Sequence, residues 1–192
     1  AEFTTRDLRV RVDRQGQLSG LWGRAGGREY LAMGQPAPLL SVRTSGRSES
    51  PAGMAYDTST GVISLDYPRS GARVRVRATV RPTHVVFEVI AVQPPNVVDA
   101  VVWGPYPTII STTVGEIVGV VRDARVAIGL QALNLETRGG ALLNDEGSDS
   151  SRGTIAQATA WGSVLQAFSL DRSRPRSVAG WNGQFPNMPV PP

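Results

Sequence analysis

VVWGPYPTIISTTVGEIVGVVRDARVAIGLQALN, residues Val101–Asn134, is a succession of short β-branched runs separated by Gly, Pro and Asp. β-branched residues fit a pleated, half-buried surface, and the breakers between them mark turns. The stretch therefore predicts strands at Thr108–Val114, Ile117–Arg122 and Val126–Ala132, after one at Val97–Trp103. Asp123-Ala124-Arg125 reads as the tight connection between the last two. Gly104-Pro105 forms an elbow that opens the stretch, with Trp103 and Tyr106 on either side of it. Flat rings held near the edge of a rigid sheet suit the apolar faces of sugars, so these two are the candidate carbohydrate-binding residues.

Working outward, period-two patterning dominates. Leu8, Val10 and Val12 alternate with Arg9 and Arg11, Gln15-Gly16 turns the chain, and Leu18–Trp22 returns. Short strands follow around Glu29–Ala32 and at Pro38–Arg43, and the polar run Ser45–Gly53 reads as a surface loop. Val62–Tyr67, Arg73–Arg81 and His84–Val92 form the clearest meander. Within it Arg73, Arg75 and Arg77 alternate with Val74, Val76 and Ala78, the signature of a strand with one wet face. On the same alternation Val86, Glu88 and Ile90 share one face of the next strand, and Phe87, Val89 and Ala91 share the other. Gly139–Gly153 is the longest polar loop, and Thr154–Ala160 with Ser163–Leu170 makes a last pair. No amphipathic helix and no fixed-period repeat is evident. The fold class expected is all-β, a large twisted antiparallel sandwich with little or no helix.

The chain has 192 residues, enough for one large domain or two small ones, and 41% hydrophobic with 19% charged is ordinary globular composition. There is no Cys, which excludes a disulfide framework and thiolate metal sites. No apolar run reaches the roughly 20 residues that a spanning helix needs, so no membrane partner is expected. All 20 basic residues are Arg, but the net charge is only +4 and no nucleic-acid motif accompanies it, so no nucleic acid is expected either. The opening AEFTTRD has no signal-peptide pattern; Ala1 fits the residue left by signal cleavage as well as one added in cloning. Residues 1–175 read as the sandwich domain. Residues 176–192, ending WNGQFPNMPVPP, read as a Pro-rich tail or linker unable to form helix or central strand.

Candidate chemistry is sparse. His84 is the only histidine, which excludes a multi-histidine metal site. Glu116, in TTVGEIVG, would have a raised pKa if it pointed inward, the state a general acid needs. Glu88, in VVFEVIAV, is the second candidate acid. Glycoside hydrolysis needs two carboxyls facing one bond, and nothing in the spacing of Glu88 and Glu116 brings them together. Asp145, Glu146 and Asp149 lie near Gly147, as oxygen ligands do in hard-cation loops, and are weak candidates for Ca²⁺; otherwise no cofactor is expected. No G-x-S-x-G, Walker A or G-x-G-x-x-G motif is present.

The phrases LRVRVDRQGQLSGLWGRAGGREYLAMGQPAPLLSVRTSG, VRVRATVRPTHVVFEVIAV and the opening stretch together resemble the galactose-mutarotase-like supersandwich. Such domains stand before the catalytic domain of bacterial glycoside hydrolases and related carbohydrate-active enzymes. The resemblance implies a non-catalytic accessory domain flanking a glycan cleft, secreted or periplasmic. Its partners would be a polysaccharide or oligosaccharide and an adjacent catalytic domain of the same chain. It does not carry over mutarotase activity, because the single His sits at a different sort of position. Two other readings stay open: a small stand-alone carbohydrate-active enzyme using Glu116 and Glu88, or a carbohydrate-binding module.

Overall fold

The computed structural model describes residues 1–24, 26–140 and 155–170, and the backbone of 176–180 and 183–188. The described residues contain strands and turns and no helix, and every strand pairing is antiparallel. β1 (Glu2–Thr4), β2 (Leu8–Val12) and β3 (Leu18–Gly23) form a three-stranded sheet. β4 (Leu40–Thr44) and β5 (Arg47–Glu49) are a hairpin, and β6 (Gly53–Asp57), β7 (Val62–Tyr67), β8 (Ala72–Val80) and β9 (Val85–Gln93) are a four-stranded meander. β10 (Ala100–Thr108) returns beside β4. β11 (Thr113–Gly115), β12 (Val120–Arg122) and β13 (Ala127–Gly129) form a small sheet of their own. β14 (Thr137–Gly139), β15 (Ala156–Thr159) and β16 (Gly162–Leu170) complete a six-stranded sheet ordered β14-β16-β10-β4-β5, with β15 also on β16. β17 (Arg176–Gly180) and β18 (Gly183–Met188) pair with each other.

The all-β antiparallel sandwich is the fold that the alternation predicts. β8 shows why. Ala72, Val74, Val76 and Ala78 are buried and Arg73, Arg75 and Arg77 exposed, so a strand of nine residues contributes one apolar stripe to the core. On the wet face Arg73 pairs with Asp66 at 2.7 Å and Arg77 with Glu88 at 3.4 Å. The inner stripe joins Ile63, Leu65 and Tyr67 of β7 and meets Leu40, Val42 and Trp103 of the six-stranded sheet in one continuous core. Phe3, Tyr56, Phe87 and Trp103 form an aromatic chain through it. Phe3 meets Tyr56 and Phe87 edge-on at 5.4 Å, and Phe87 meets Trp103 at 6.4 Å.

Two tyrosines fasten the Leu39-Leu40 segment, one from the facing layer and one from the neighbouring strand. The buried Tyr67 hydroxyl donates to the Leu40 carbonyl at 2.7 Å, and the Tyr106 hydroxyl donates to the Leu39 carbonyl at 2.6 Å. Burial pushes both phenols up from their ordinary range. Tyr67→Phe leaves a buried carbonyl without this donor and should cost about 1–2 kcal/mol in urea unfolding, with little change in m-value.

Several local expectations are corrected. The run Ser45–Gly53 is not one loop: Ser45 (φ 46°) and Gly46 (φ 76°) make a two-residue turn with both φ positive, so Thr44 pairs with Arg47 and β5 follows at once. Glu29–Ala32 makes only isolated bridges, Glu29 with Trp22 and Leu31 with Thr108. The elbow does not divide two strands or lie at a sheet edge. β10 runs through it, because Gly104 and Pro105 sit together in a bulge, between the pairs Trp103–Ala167 and Tyr106–Leu165. A bulge is one of the few places inside a sheet that tolerates Pro. The strand expected from Ile117 begins at Val120, the next is shortened to Ala127–Gly129, and the residues expected to end a strand at Val114 form β11. A second bulge, at Ile90, skips one residue between Ala91–Arg75 and Val89–Val76. The face of Phe87 and Val89 is therefore continued by Val92 rather than by Ala91. The tail forms a hairpin backbone, with Pro186 falling where its pairing slips register.

Candidate functional site

A cleft of 1390 Å³ is lined by residues of both layers and of the small sheet. Leu21, Leu39, Phe87, Trp103, Leu130 and Leu165 are among its walls. Its titratable lining groups among the described residues are His84, Glu88, Asp99, Tyr106 and Glu136, and no described Arg lines it, in a chain whose basic residues are all Arg. Large apolar side chains stand around the β11–β12 turn and beyond β13, with Ile117, Val118, Leu133 and Leu135 all exposed. A concave apolar wall with few polar groups is the ordinary form of a binding site.

The candidate sugar-binding pair does border this cleft, but its rings are committed to packing. Trp103 is 9% exposed and stacked near Phe87. Tyr106 keeps part of its ring accessible while its hydroxyl end is desolvated and bound to Leu39. Two other tryptophans are nearer the surface. Trp161, 45% exposed, is at the tip of the β15–β16 hairpin. Trp22 lies flat over Gly20, where a Cβ would come within 1.7 Å of its Cη2. The guanidinium carbons of Arg9 and Arg11 stand 4.3 and 5.0 Å from the Trp22 ring centre. That stack covers the ring face a sugar would use.

The two candidate acids are not brought together. Glu116 is exposed in the turn joining β11 to β12, and its carbonyl accepts from Ile155 and Ala156. Glu88 is exposed on β9, in another sheet, with its carboxylate held by Arg77. His84 is exposed at the entry to β9, its Nδ1 3.1 Å from the Thr83 hydroxyl. Asp145, Glu146 and Asp149 lie outside the described residues, as does Trp181. Among the described residues no three His, Cys, Asp or Glu side chains cluster as a metal site.

Among the described residues, the carboxylates with displaced acidity serve turns, and all are displaced downward. Burial works against the Glu49 carboxylate. It is outweighed by the Ser70 hydroxyl, by the backbone N–H groups of Arg69 (2.7 Å) and Ser70 (2.9 Å), and by the Arg69 charge. Hydroxyls of Ser59 and Thr60 hold Asp57 down to about 2. Asp123 is lowered chiefly by the Arg125 N–H, against some desolvation, with help from the Val126 N–H and Arg28. A general acid working near neutrality needs the opposite displacement. Sequence reasoning missed Glu49. A Glu inside a predicted surface loop carries no signal that it will fold under a turn 20 residues away.

No protein-family model matches the chain, and no curated protein or solved structure matches it either. No helix among the described residues is long and apolar enough to cross a membrane, which says nothing of strands.

Proposed function

We propose that this chain is a non-catalytic β-sandwich module that works beside a carbohydrate-active catalytic domain, offering its cleft as the seat for that partner. The observation that carries the reading is the dispersal of the candidate acids. Glu116 is in one hairpin turn and Glu88 is paired on another sheet, while the large cleft is walled mainly by apolar side chains. The link to carbohydrate chemistry, and with it secretion or a periplasmic place, is supported by the resemblance of its strand phrases to those of supersandwich domains. Direct sugar contact by Trp103 and Tyr106 is not needed for this role.

Incubation of the chain with storage, wall and plant polysaccharides should release no reducing ends, and Glu116→Gln and Glu88→Gln should leave that blank unchanged. Turnover that either substitution abolishes, at an unaltered melting temperature, would make the chain an enzyme in its own right. Saturable quenching of Trp fluorescence by an oligosaccharide would make it a binding module instead.

A further inference from the structure

β9 is the last strand of its sheet, so one of its edges has no strand beside it. Among the described residues, no backbone bond from outside the sheet reaches residues 85–93, and no side chain bonds to their backbone. The opposite edge of the same sheet is treated differently, since Met54 of β6 donates to the Arg14 carbonyl at 2.8 Å. Residues 83–89 line the cleft without a gap, and residues 127–134 do the same across it. Side chains alternate along a strand, so consecutive residues can all line a cleft only where the strand turns its edge toward it. Free N–H and C=O groups thus face an apolar cleft, where leaving them unpaired is costly.

The dimensions fit one more strand. In a sandwich a strand residue fills about 160 Å³, from a rise of about 3.3 Å, a strand spacing of about 4.8 Å and a layer spacing of about 10 Å. The 1390 Å³ available therefore takes at most about nine residues, against residues 83–89 and Val92, in and just before β9, that line it. A second folded copy of the chain is too thick to enter such a space. Charge selects further: Glu136 lines the cleft, as does Glu88 beside Arg77, and among the described residues no Arg lines it. We infer that the cleft captures an extended segment of a partner polypeptide, at most about nine residues long. Apolar residues alternate along it, its ends are basic, and it adds to the free edge of β9 as a fifth strand. Strand capture requires nothing of the partner's reaction, so its failure and a failure of the carbohydrate reading are separate results.

The probe is the blocked peptide Arg-Val-Thr-Val-Thr-Val-Thr-Val-Arg, titrated into the whole chain by calorimetry with amide exchange followed by NMR. Binding should protect alternate amides of residues 85–93. N-methylation of the peptide's interior, or scrambling that destroys the alternation, should weaken it by about tenfold or more. Val89→Lys should do the same, while Val80→Lys, outside the cleft, should not. Equal binding of the scrambled or N-methylated peptide would overturn strand addition, as would no binding at millimolar peptide or protection confined to residues 127–134. Concentration-dependent dimerisation that protects β9 would overturn it too, with a second copy as the occupant.

Discussion

Gly162→Val is expected to destabilise the chain by about 3–5 kcal/mol, lowering the melting temperature by roughly 10 °C, measurable by circular dichroism and urea titration. Gly162 has φ 145°, a conformation that side chains rarely adopt, and opens β16 after the Ala160-Trp161 turn. A Cβ there would lie 2.2 Å from the Thr108 carbonyl oxygen and 2.8 Å from the Ile109 Cα. Those are backbone atoms, so no rotamer change relieves the clash. Relief must come from separating β16 and β10, the two longest strands of their sheet. That would also open the fully buried pair formed by Thr108 Oγ1 and Ser163 Oγ at 2.8 Å. Overpacking and backbone strain add at this position because they have different origins. A melting temperature within two or three degrees of the parent would show that the two strands are not held this closely.

Glu49→Ala is the second large expected effect, about 2–4 kcal/mol at neutral pH, because it leaves two backbone N–H groups of the β7–β8 turn without acceptors. The side chain spans two layers: β5 belongs to the six-stranded sheet, whereas Arg69 and Ser70 belong to the meander. Its pH dependence has a definite sign. The folded carboxyl is held below its ordinary value, so its stabilisation is complete above the unfolded pKa of about 4.3. It is lost as pH falls through the folded value. Glu49→Gln should therefore flatten the acid limb of a stability–pH profile and matter most above that range. An unchanged acid limb in the Gln variant would assign the effect to other carboxylates.

Much of the fold could be read from residues 8–12, 18–22, 62–67 and 72–80, because the strands there alternate wet and dry positions. Where that contrast fades, reading failed. β6 is GMAYD and β5 is RSE, too short and mixed to alternate, and they are strands because the Ser45-Gly46 turn and the neighbouring β7 impose it. Pro105 looked like a strand end because its missing N–H argues against a ladder. The bulge supplies a place where no N–H is required. Ile90 could not be foreseen as a bulge from apolar neighbours on both sides. The site was less legible than the fold. Trp103 and Tyr106, chosen as a sugar platform, do line the concavity, but its other walls come from residues 83–89 and 127–134, far apart in sequence, and how such stretches face each other has no letter code.

The paired tyrosine clamps have a bearing on how reliably the chain assembles. Leu39 and Leu40 are consecutive, and each carbonyl accepts from a different phenol, Leu39 from Tyr106 and Leu40 from Tyr67. Sliding this segment by a single position would present each phenol with the wrong oxygen and break both links at once. Such a mistake is heavily penalised, which makes the pair a built-in proofreader for a topology whose neighbours meet only after long excursions.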